Sequence, residues 1–313
     1  MTGQPTLAWM DGELVDYADA VLHVDTQSVQ GGLNAYEVIG GFWSETDDEL
    51  YLFRFAEHIR RLRQSCKLMR LPISYTDGDL LDAARELLRR NKCRQDVALR
   101  LSAYFGAGPL FSAVPGEIPT GVYMVAGPAN PELRRPHLHL STSTWTRLPD
   151  LAAPPRIKSG ANYQNARLAQ VQAKIDGYED AILLNSSGKV CELPLANLFL
   201  VKNGRLITPC TPAGILEGIT RLTILESTKD MGLEVEEREV ERSELYTADE
   251  AFSTGSISFV TPILSIDRYD VGDGTPGPVT GLVQRHLRDL LVGPNFRRSW
   301  TTAVYRPERL VAT

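Results

Sequence analysis

The stretch Gly127-Pro128-Ala129-Asn130-Pro131-Glu132-Leu133-Arg134-Arg135-Pro136 places three prolines in ten residues. Each proline lacks an N–H donor and pushes the residue before it out of helical geometry, so neither a helix nor a central strand runs through. The stretch therefore reads as a linker. At roughly 150 residues per domain, 313 residues suggest about two domains, or one large one. Residues 1–126 read as a small N-terminal α/β domain, 127–136 as an interdomain linker, 137–292 as a larger β-rich domain and 293–313 as a C-terminal tail.

Local patterns give the fold class as α/β (α+β). Leu7 to Met10 and Glu13 to Val15 flank Asp11-Gly12, a hairpin turn signal. Leu50 to Phe53 reads as a strand. From Phe55 to Arg70, apolar side chains at Ile59, Leu62, Cys66 and Met69 recur at helical spacing until Pro72 stops them. A second helix starts at the Thr76-Asp77 cap and reaches about Leu88. Val97 to Tyr104 and Gly121 to Ala126 read as strands. Beyond the linker, Asn162 to about Asp176 reads as a helix with Leu168, Val171 and Ile175 on one face. Ala181 to Leu184 and Val190 flank a turn, and Asn203-Gly204 joins two further strands. A helix is expected from Ile219 to Met231, ending at Gly232, then a strand over Glu250 to Thr254 and a helix over Pro278 to Leu291. The arginine-rich segment after Gly293 shows no pattern and reads as an appendage.

Apolar residues make up 43% and the net charge is −6, so a disordered chain is excluded and no basic face is offered to nucleic acid or anionic lipid. No apolar run is long enough to span a bilayer. Met1 to Pro5 carries no secretory signature. Cys66, Cys93, Cys191 and Cys210 form no CxxC pair, which fits a reducing, cytoplasmic location and offers no thiolate metal site. His137-Leu138-His139 would set two imidazoles on one strand face; with no third ligand type nearby, no metal is expected. Gly272-Asp273-Gly274-Thr275-Pro276-Gly277 imitates a dinucleotide fingerprint but contains a proline and follows no strand signal, so it reads as a turn.

Lysine is scarce. Lys67, Lys92, Lys174, Lys189, Lys202 and Lys229 have ordinary surface readings, Lys229 because a cation suits a helix C-terminus. Lys158 differs: Pro155-Arg156-Ile157-Lys158-Ser159-Gly160-Ala161-Asn162-Tyr163 has no helical period, and small residues after the lysine let a planar group approach. A Schiff-base lysine and a plain loop lysine both fit this stretch.

Arg156 to Asn165 can be read with Glu192 and Asn197-Leu198-Phe199, with Leu216-x-Gly218-Ile219-Thr220-Arg221, and with Leu245-Tyr246-x-Ala248-Asp249-Glu250-Ala251-Phe252. Together with Gly272-Asp273-Gly274-x-Pro276-Gly277-Pro278-Val279-Thr280, these motifs resemble the fold-type IV pyridoxal phosphate enzymes. Within that group the likeness is to class IV aminotransferases, above all the branched-chain amino-acid aminotransferases, over nearly all of residues 7–292. The resemblance implies a two-domain fold and a homodimer, with the larger C-terminal domain binding pyridoxal 5′-phosphate. It implies that Lys158 forms the internal aldimine and shuttles the substrate proton. Tyr163 would donate to the cofactor's phenolic oxygen, and Glu192 would hold the proton on the pyridine nitrogen, without which the ring is a poor electron sink. Asn197 belongs to the same motif. Arg61 would meet the phosphate, as would the helix start at Ile219 and Thr220 and the turn at Ser256 and Ile257. The Thr220 hydroxyl reads equally as a plain N-cap. Leu216 would lie against the ring.

Branched-chain members typically read Tyr-Gly-x-x-x-Phe-Glu-Gly-x-Arg near the start. Here the corresponding stretch is Gly31-Gly32-Leu33-Asn34-Ala35-Tyr36-Glu37-Val38-Ile39-Gly40. Gly31 stands for a tyrosine, Val38 for a glycine and Gly40 for an arginine. The Tyr36-x-Val38 pair is similar to that of R-selective amine transaminases. Arg100 matches the arginine that receives the distal carboxylate of glutamate, although the tyrosine expected two places earlier is Ala98; a structural salt bridge is the competing reading. Leu193 and Leu195 replace glycines. The expectation is a transaminase with glutamate and 2-oxoglutarate as one couple and, as the other, something other than a simple branched-chain amino acid. The alternatives are a lyase of the aminodeoxychorismate-lyase type and an R-selective amine or D-amino acid transaminase.

Overall fold

The structure is a computed structural model that describes residues 5–109, 112, 114, 116–129, 134–293 and 296–306. Residues 1–4, linker residues 130–133 and tail residues 294, 295 and 307–313 lie outside the described residues. The chain divides into two compact units. The first holds Met1–Asn130, Lys158–Ala161 and Asp289–Thr313; the second holds Pro131–Ile157 and Asn162–Arg288. Four residues around Lys158 thus belong with the N-terminal part of the chain.

The first unit contains β1 (Leu7–Met10), β2 (Glu13–Asp16), α1 (Gln27–Gly31), β3 (Asn34–Ser44), β4 (Glu49–Phe53), α2 (Phe55–Met69), α3 (Asp77–Arg90), β5 (Val97–Phe105) and β6 (Thr120–Pro128). Asp11 and Gly12 both take positive φ at the β1–β2 turn, as the Asp-Gly signal requires. Thr76 caps α3 in a reciprocal box with Asp79, worth about 1 kcal/mol. β3 pairs with β4 on one side and with β5 on the other. Because side chains alternate along a strand, Ala35, Ile39, Leu99, Leu101 and Ala103 face a core completed by Ile59, Leu62 and Cys66 of α2. The opposite face carries Tyr36, Val38, Gly40, Ala98, Arg100 and Ser102, in the register Tyr36–Ser102, Val38–Arg100 and Gly40–Ala98.

The second unit contains β7 (Leu138–Thr142), α4 (Tyr163–Ile175), β8 (Asp180–Ile182), β9 (Asn197–Lys202), β10 (Arg205–Pro209), α5 (Ile219–Ser227), β11 (Val235–Arg238), β12 (Glu250–Gly255), β13 (Phe259–Ile266) and β14 (Tyr269–Asp270). Its sheet runs β11-β10-β9-β12-β13-β7-β8, with β14 paired to β13. Asn203 and Gly204 turn β9 into β10 at positive φ. Phe199 and Phe252, opposite each other in the register, stack in parallel at 5.1 Å. The helix α6 (Pro278–Val292) begins on the Glu250 carboxylate, which accepts the N–H groups of Val279 and Thr280.

Three expectations are corrected. On α4 the buried side chains are Ala166, Ala169 and Ala173, packed on Ala181 and Leu183, while Val171 and Ile175 are exposed. Alanines let the helix backbone approach the sheet closely, an advantage that a search for large apolar residues passes over. The helix expected to reach Met231 ends at Ser227, and Lys229–Met231 forms a separate 3-10 turn before Gly232, which does adopt the left-handed conformation. The segment after Gly293 is built into the fold: β15 (Thr301–Ala303) pairs with β4 at the edge of the first sheet. Buried Glu49 accepts the N–H groups of Val304, Tyr305 and Arg306.

Candidate active site

In the first unit, Lys158 is fastened by its backbone. Its N–H donates to Ser65 Oγ of α2 at 3.1 Å, and its C=O accepts the Tyr36 N–H of β3 at 2.9 Å. Ser159 then bridges to Ala35, and the Gly160 N–H donates to Asn34 Oδ1 at 3.0 Å. A side chain at Gly160 would press on that same Asn34 oxygen, and one at Gly32, held at φ +67°, would crowd the Ala161 backbone. The small residues after the lysine thus serve close backbone approach.

The Lys158 amine lies 4.9 Å from the centre of the Tyr36 ring, and the Arg100 guanidinium stacks 4.0 Å from the same ring. Arg100 Nε donates to Ser102 Oγ at 3.2 Å. Among the described residues Arg100 makes no ion pair, which corrects the salt-bridge reading. Val38 and Ala98 are half-buried and Gly40 is buried along the same strand pair; Gly31 is the last residue of α1.

Arg61 lies on the buried face of α2, one turn after His58 and one turn before Ser65. Its Nε and Nη2 grip both oxygens of Glu37 at 2.8 and 2.6 Å, and His58 Nδ1 meets Glu37 Oε2 at 2.7 Å. Burial acts to raise the Glu37 pKa. The charge and hydrogen bonds of Arg61, then those of His58, outweigh it and bring the carboxyl down to about 2 from 4.5. Burial pushes His58 below its ordinary value against the pull of Glu37, so the imidazole is neutral at pH 7 and the trio carries no net charge. Glu37 and His58 were missed by the sequence reading. A signal existed, since Glu37 alternates with Ala35 and Ile39 on the core face, where a carboxylate needs a cation.

In the second unit, Glu192 is 5% exposed and accepts from three donors: Arg147 Nη2 at 3.0 Å, Asn197 Nδ2 at 2.9 Å and the Leu216 N–H at 3.0 Å. The Leu216 C=O in turn accepts from Asn197. Arg147 also donates to the Gly214 C=O, so it is anchored at both ends. No local pattern singles out Arg147, which reaches Glu192 only through the fold. Leu193 enters the core and Leu195 is exposed. Burial and then the Glu192 charge push the neighbouring Cys191 thiol up to about 12, which disfavours the thiolate.

The N-cap of α5 is Gly218, whose C=O accepts the Leu222 N–H, and no side chain caps the helix. Thr220 is the second helical residue, which corrects its reading as an N-cap. A Cβ on Gly218 would sit 1.9 Å from Asn197 Oδ1. Thr254 stands opposite Asn197 in the β9–β12 register, and its buried hydroxyl has no hydrogen-bond partner among the described residues. An uncapped helix start, a glycine with no room for a side chain and an unpartnered hydroxyl form a donor set suited to a phosphate. Ser256 and Ile257 lie in the β12–β13 turn, where the Ile257 C=O accepts from Arg134. Tyr163 is the first residue of α4 and packs against its alanines. His139 bonds Ser265 at 2.7 Å, with His137 against its ring.

Residues 36–266 match the family model described as amino-transferase class IV. The chain belongs to that family. This class IV aminotransferase has fold type IV, acts on an amino acid and a 2-oxo acid, and uses pyridoxal phosphate. It is 35% identical over 303 residues to a probable branched-chain-amino-acid aminotransferase of Aquifex aeolicus, covering 95% of this chain and 96% of that one. The branched-chain amino acid aminotransferase of Thermobaculum terrenum in its PLP form superposes with a TM-score of 0.90 at 38% identity, covering 97% of this chain and 99% of that one. The T.th. branched-chain amino acid aminotransferase complexed with N-(5′-phosphopyridoxyl)-L-glutamate gives 0.88 at 32% identity, covering 96% and 99%. No helix among the described residues is long and apolar enough to cross a membrane.

Proposed function

We propose that this aminotransferase moves an amino group between a branched-chain-type aliphatic amino acid and 2-oxoglutarate, with glutamate as the product or returning donor. Arg100 carries the glutamate half of this reading. It is a half-buried guanidinium without an acidic partner among the described residues, over the face of Tyr36, whose ring also neighbours the Lys158 amine. A carboxylate is the ligand such a fork is built to grip. The relative complexed with a phosphopyridoxyl derivative of L-glutamate supports that couple. The aliphatic half rests on the names of the relatives. It replaces the expectation of a substrate unlike the branched-chain amino acids, and neither the lyase nor the amine-transaminase alternative finds support in the relatives compared.

Pyridoxal phosphate, when bound, supplies the carbonyl that takes the amino group and a conjugated ring that takes up the electron pair left at the substrate Cα. In this reading Lys158 binds the cofactor through Nζ and moves the proton at Cα. Tyr163 donates its hydroxyl to the ring oxygen. Glu192 accepts from the protonated ring nitrogen, its carboxylate already oriented by Arg147, Asn197 and Leu216, and Leu216 lies against the ring. The N–H groups of Ile219 and Thr220, with Ser256, Ile257 and the Thr254 hydroxyl, bind and orient the phosphate, and Arg61, its charge already paired with Glu37, adds a hydrogen-bond donor. Tyr36, Val38, Gly31, Gly40 and Ala98 shape the space for the substrate side chain. The enzyme is read as a cytoplasmic homodimer; its four cysteines are all free, as a reducing compartment allows.

The test is the visible spectrum of the cofactor-loaded protein. L-Glutamate should bleach the band of the lysine-bound cofactor, and the 2-oxo acid of leucine should restore it. Arg100→Met should raise the KM for glutamate about tenfold to a hundredfold, with that for leucine changed less than about threefold. Equal effects on both substrates would remove Arg100 from the carboxylate site. Failure to form any visible band after adding pyridoxal phosphate would remove Lys158.

A further inference from the structure

The inner face of α2 carries a polar stripe, His58, Arg61 and Ser65, alongside the apolar stripe that enters the core. Ser65 is fully buried, and its oxygen accepts the N–H of Lys158. We propose that Ser65 is a positioning residue for Lys158, an inference that rests on reading Lys158 as the lysine that carries the chemistry. A lysine that would move a proton as well as hold the cofactor cannot rely on a covalent bond to keep its place. Four rotatable bonds separate Nζ from Cα, so its place is kept by the main chain and by whatever packs along the side chain. Here the Lys158 peptide is pinned on both sides, its N–H by α2 through Ser65 and its C=O by β3 through the Tyr36 N–H. The β3 contact is backbone to backbone and survives most substitutions. Fixing the N–H depends on the oxygen at position 65. That oxygen sits one turn beyond Arg61, so one rigid helix would set both the lysine and the proposed phosphate arginine.

The experiment compares cofactor-loaded wild type, Ser65→Ala, Ser65→Thr and Lys158→Ala. With Ser65→Ala, kcat should fall about tenfold to a hundredfold while KM stays within about twofold. The pH midpoint of the visible band should shift by about half a unit or more. Ser65→Thr, which keeps the acceptor, should restore both. Should Ser65→Ala fail to fold, Ser65→Cys, of similar size and a poor acceptor, supplies the same readings. Unchanged kcat and band titration in a folded Ser65→Ala protein would overturn the proposal. So would a fall in kcat that only tracks the fraction of folded protein, since a merely structural serine behaves in that way. A visible band that persists in Lys158→Ala would overturn the underlying reading of Lys158 instead, so the two failures are distinct.

Discussion

Glu37 and Arg61 offer a quantitative test of how the first unit holds its buried charges. Glu37 is completely buried and makes two bonds to Arg61 and one to His58. Its folded pKa of about 2 lies below the ordinary 4.5. A depressed carboxyl pKa adds stability that is present in full above the unfolded value and is lost as pH falls through the folded one. The difference, 4.5 − 2, is about 2.5 pH units, or roughly 3 kcal/mol at 1.36 kcal/mol per unit. Breaking the pair from either side should cost about 3–5 kcal/mol, because it strands a buried charge.

The assay is a double-mutant cycle of Glu37→Gln and Arg61→Met on the cofactor-free chain, unfolded in urea and followed by tryptophan fluorescence. Each single variant should be more than about 2 kcal/mol less stable at pH 7, and the double variant should cost far less than their sum. The coupling should exceed about 2 kcal/mol, because the attraction has to outweigh the burial of the carboxylate. It should hold steady above pH 5, and about 2 kcal/mol of it should be gone by pH 3, most of the way from 4.5 towards 2. His58 bonds Glu37 and responds to both partners, so the cycle is repeated on a His58→Asn background to separate its titration from that of the pair. A coupling under about 1 kcal/mol, or one that does not move between pH 5 and pH 3, would refute the reasoning.

Two further substitutions probe the rest of the frame. Gly218→Ala puts a methyl 1.9 Å from Asn197 Oδ1 and must move the amide that serves Glu192 and Leu216. Cofactor affinity by equilibrium dialysis should fall about tenfold or more, with a stability loss of roughly 1–3 kcal/mol; undiminished affinity would show that the helix start is not the phosphate site. Glu49→Gln turns one acceptor for the backbone of Val304, Tyr305 and Arg306 into a donor. It should cost about 1–3 kcal/mol and speed hydrogen exchange at those amides; unchanged exchange would mean that β15 alone holds the segment.

Periodicity made α2 and α3 legible, and turn chemistry located both short hairpins, because those signals are local. What escaped was set by partners distant in sequence. α4 packs by its alanines, whose weak hydrophobicity hides a close helix–sheet contact. β15 has three residues and gains its place from β4, some 250 positions earlier. Arg147 reaches Glu192 from a loop with no period of its own. Ser65, by contrast, sits in a helix that was read correctly, yet nothing in a helical pattern says that a serine on the buried side faces another chain segment. For Arg100 the residue was legible and its environment was not: the sequence allowed a salt bridge, and the fold supplies an aromatic ring and a hydroxyl.

The neighbouring glycines of β3 show how one strand can answer to two requirements. Gly41 faces the core, where an added Cβ would lie 2.7 Å from Val97 Cγ2, with Leu50 and Leu52 close behind. Packing dictates it, whatever the enzyme acts on. Gly40 points to the other face, opposite Ala98 and next to the Val38–Arg100 pair. It shares that face with Tyr36, Val38 and Arg100 and not with the apolar cluster of Ile39, Leu99 and Leu101. Strand alternation therefore separates stability from specificity at one-residue spacing. It leaves the positions of β3 and β5 that are proposed to face the substrate free to vary while the core face and α2 hold the Lys158 backbone and Arg61.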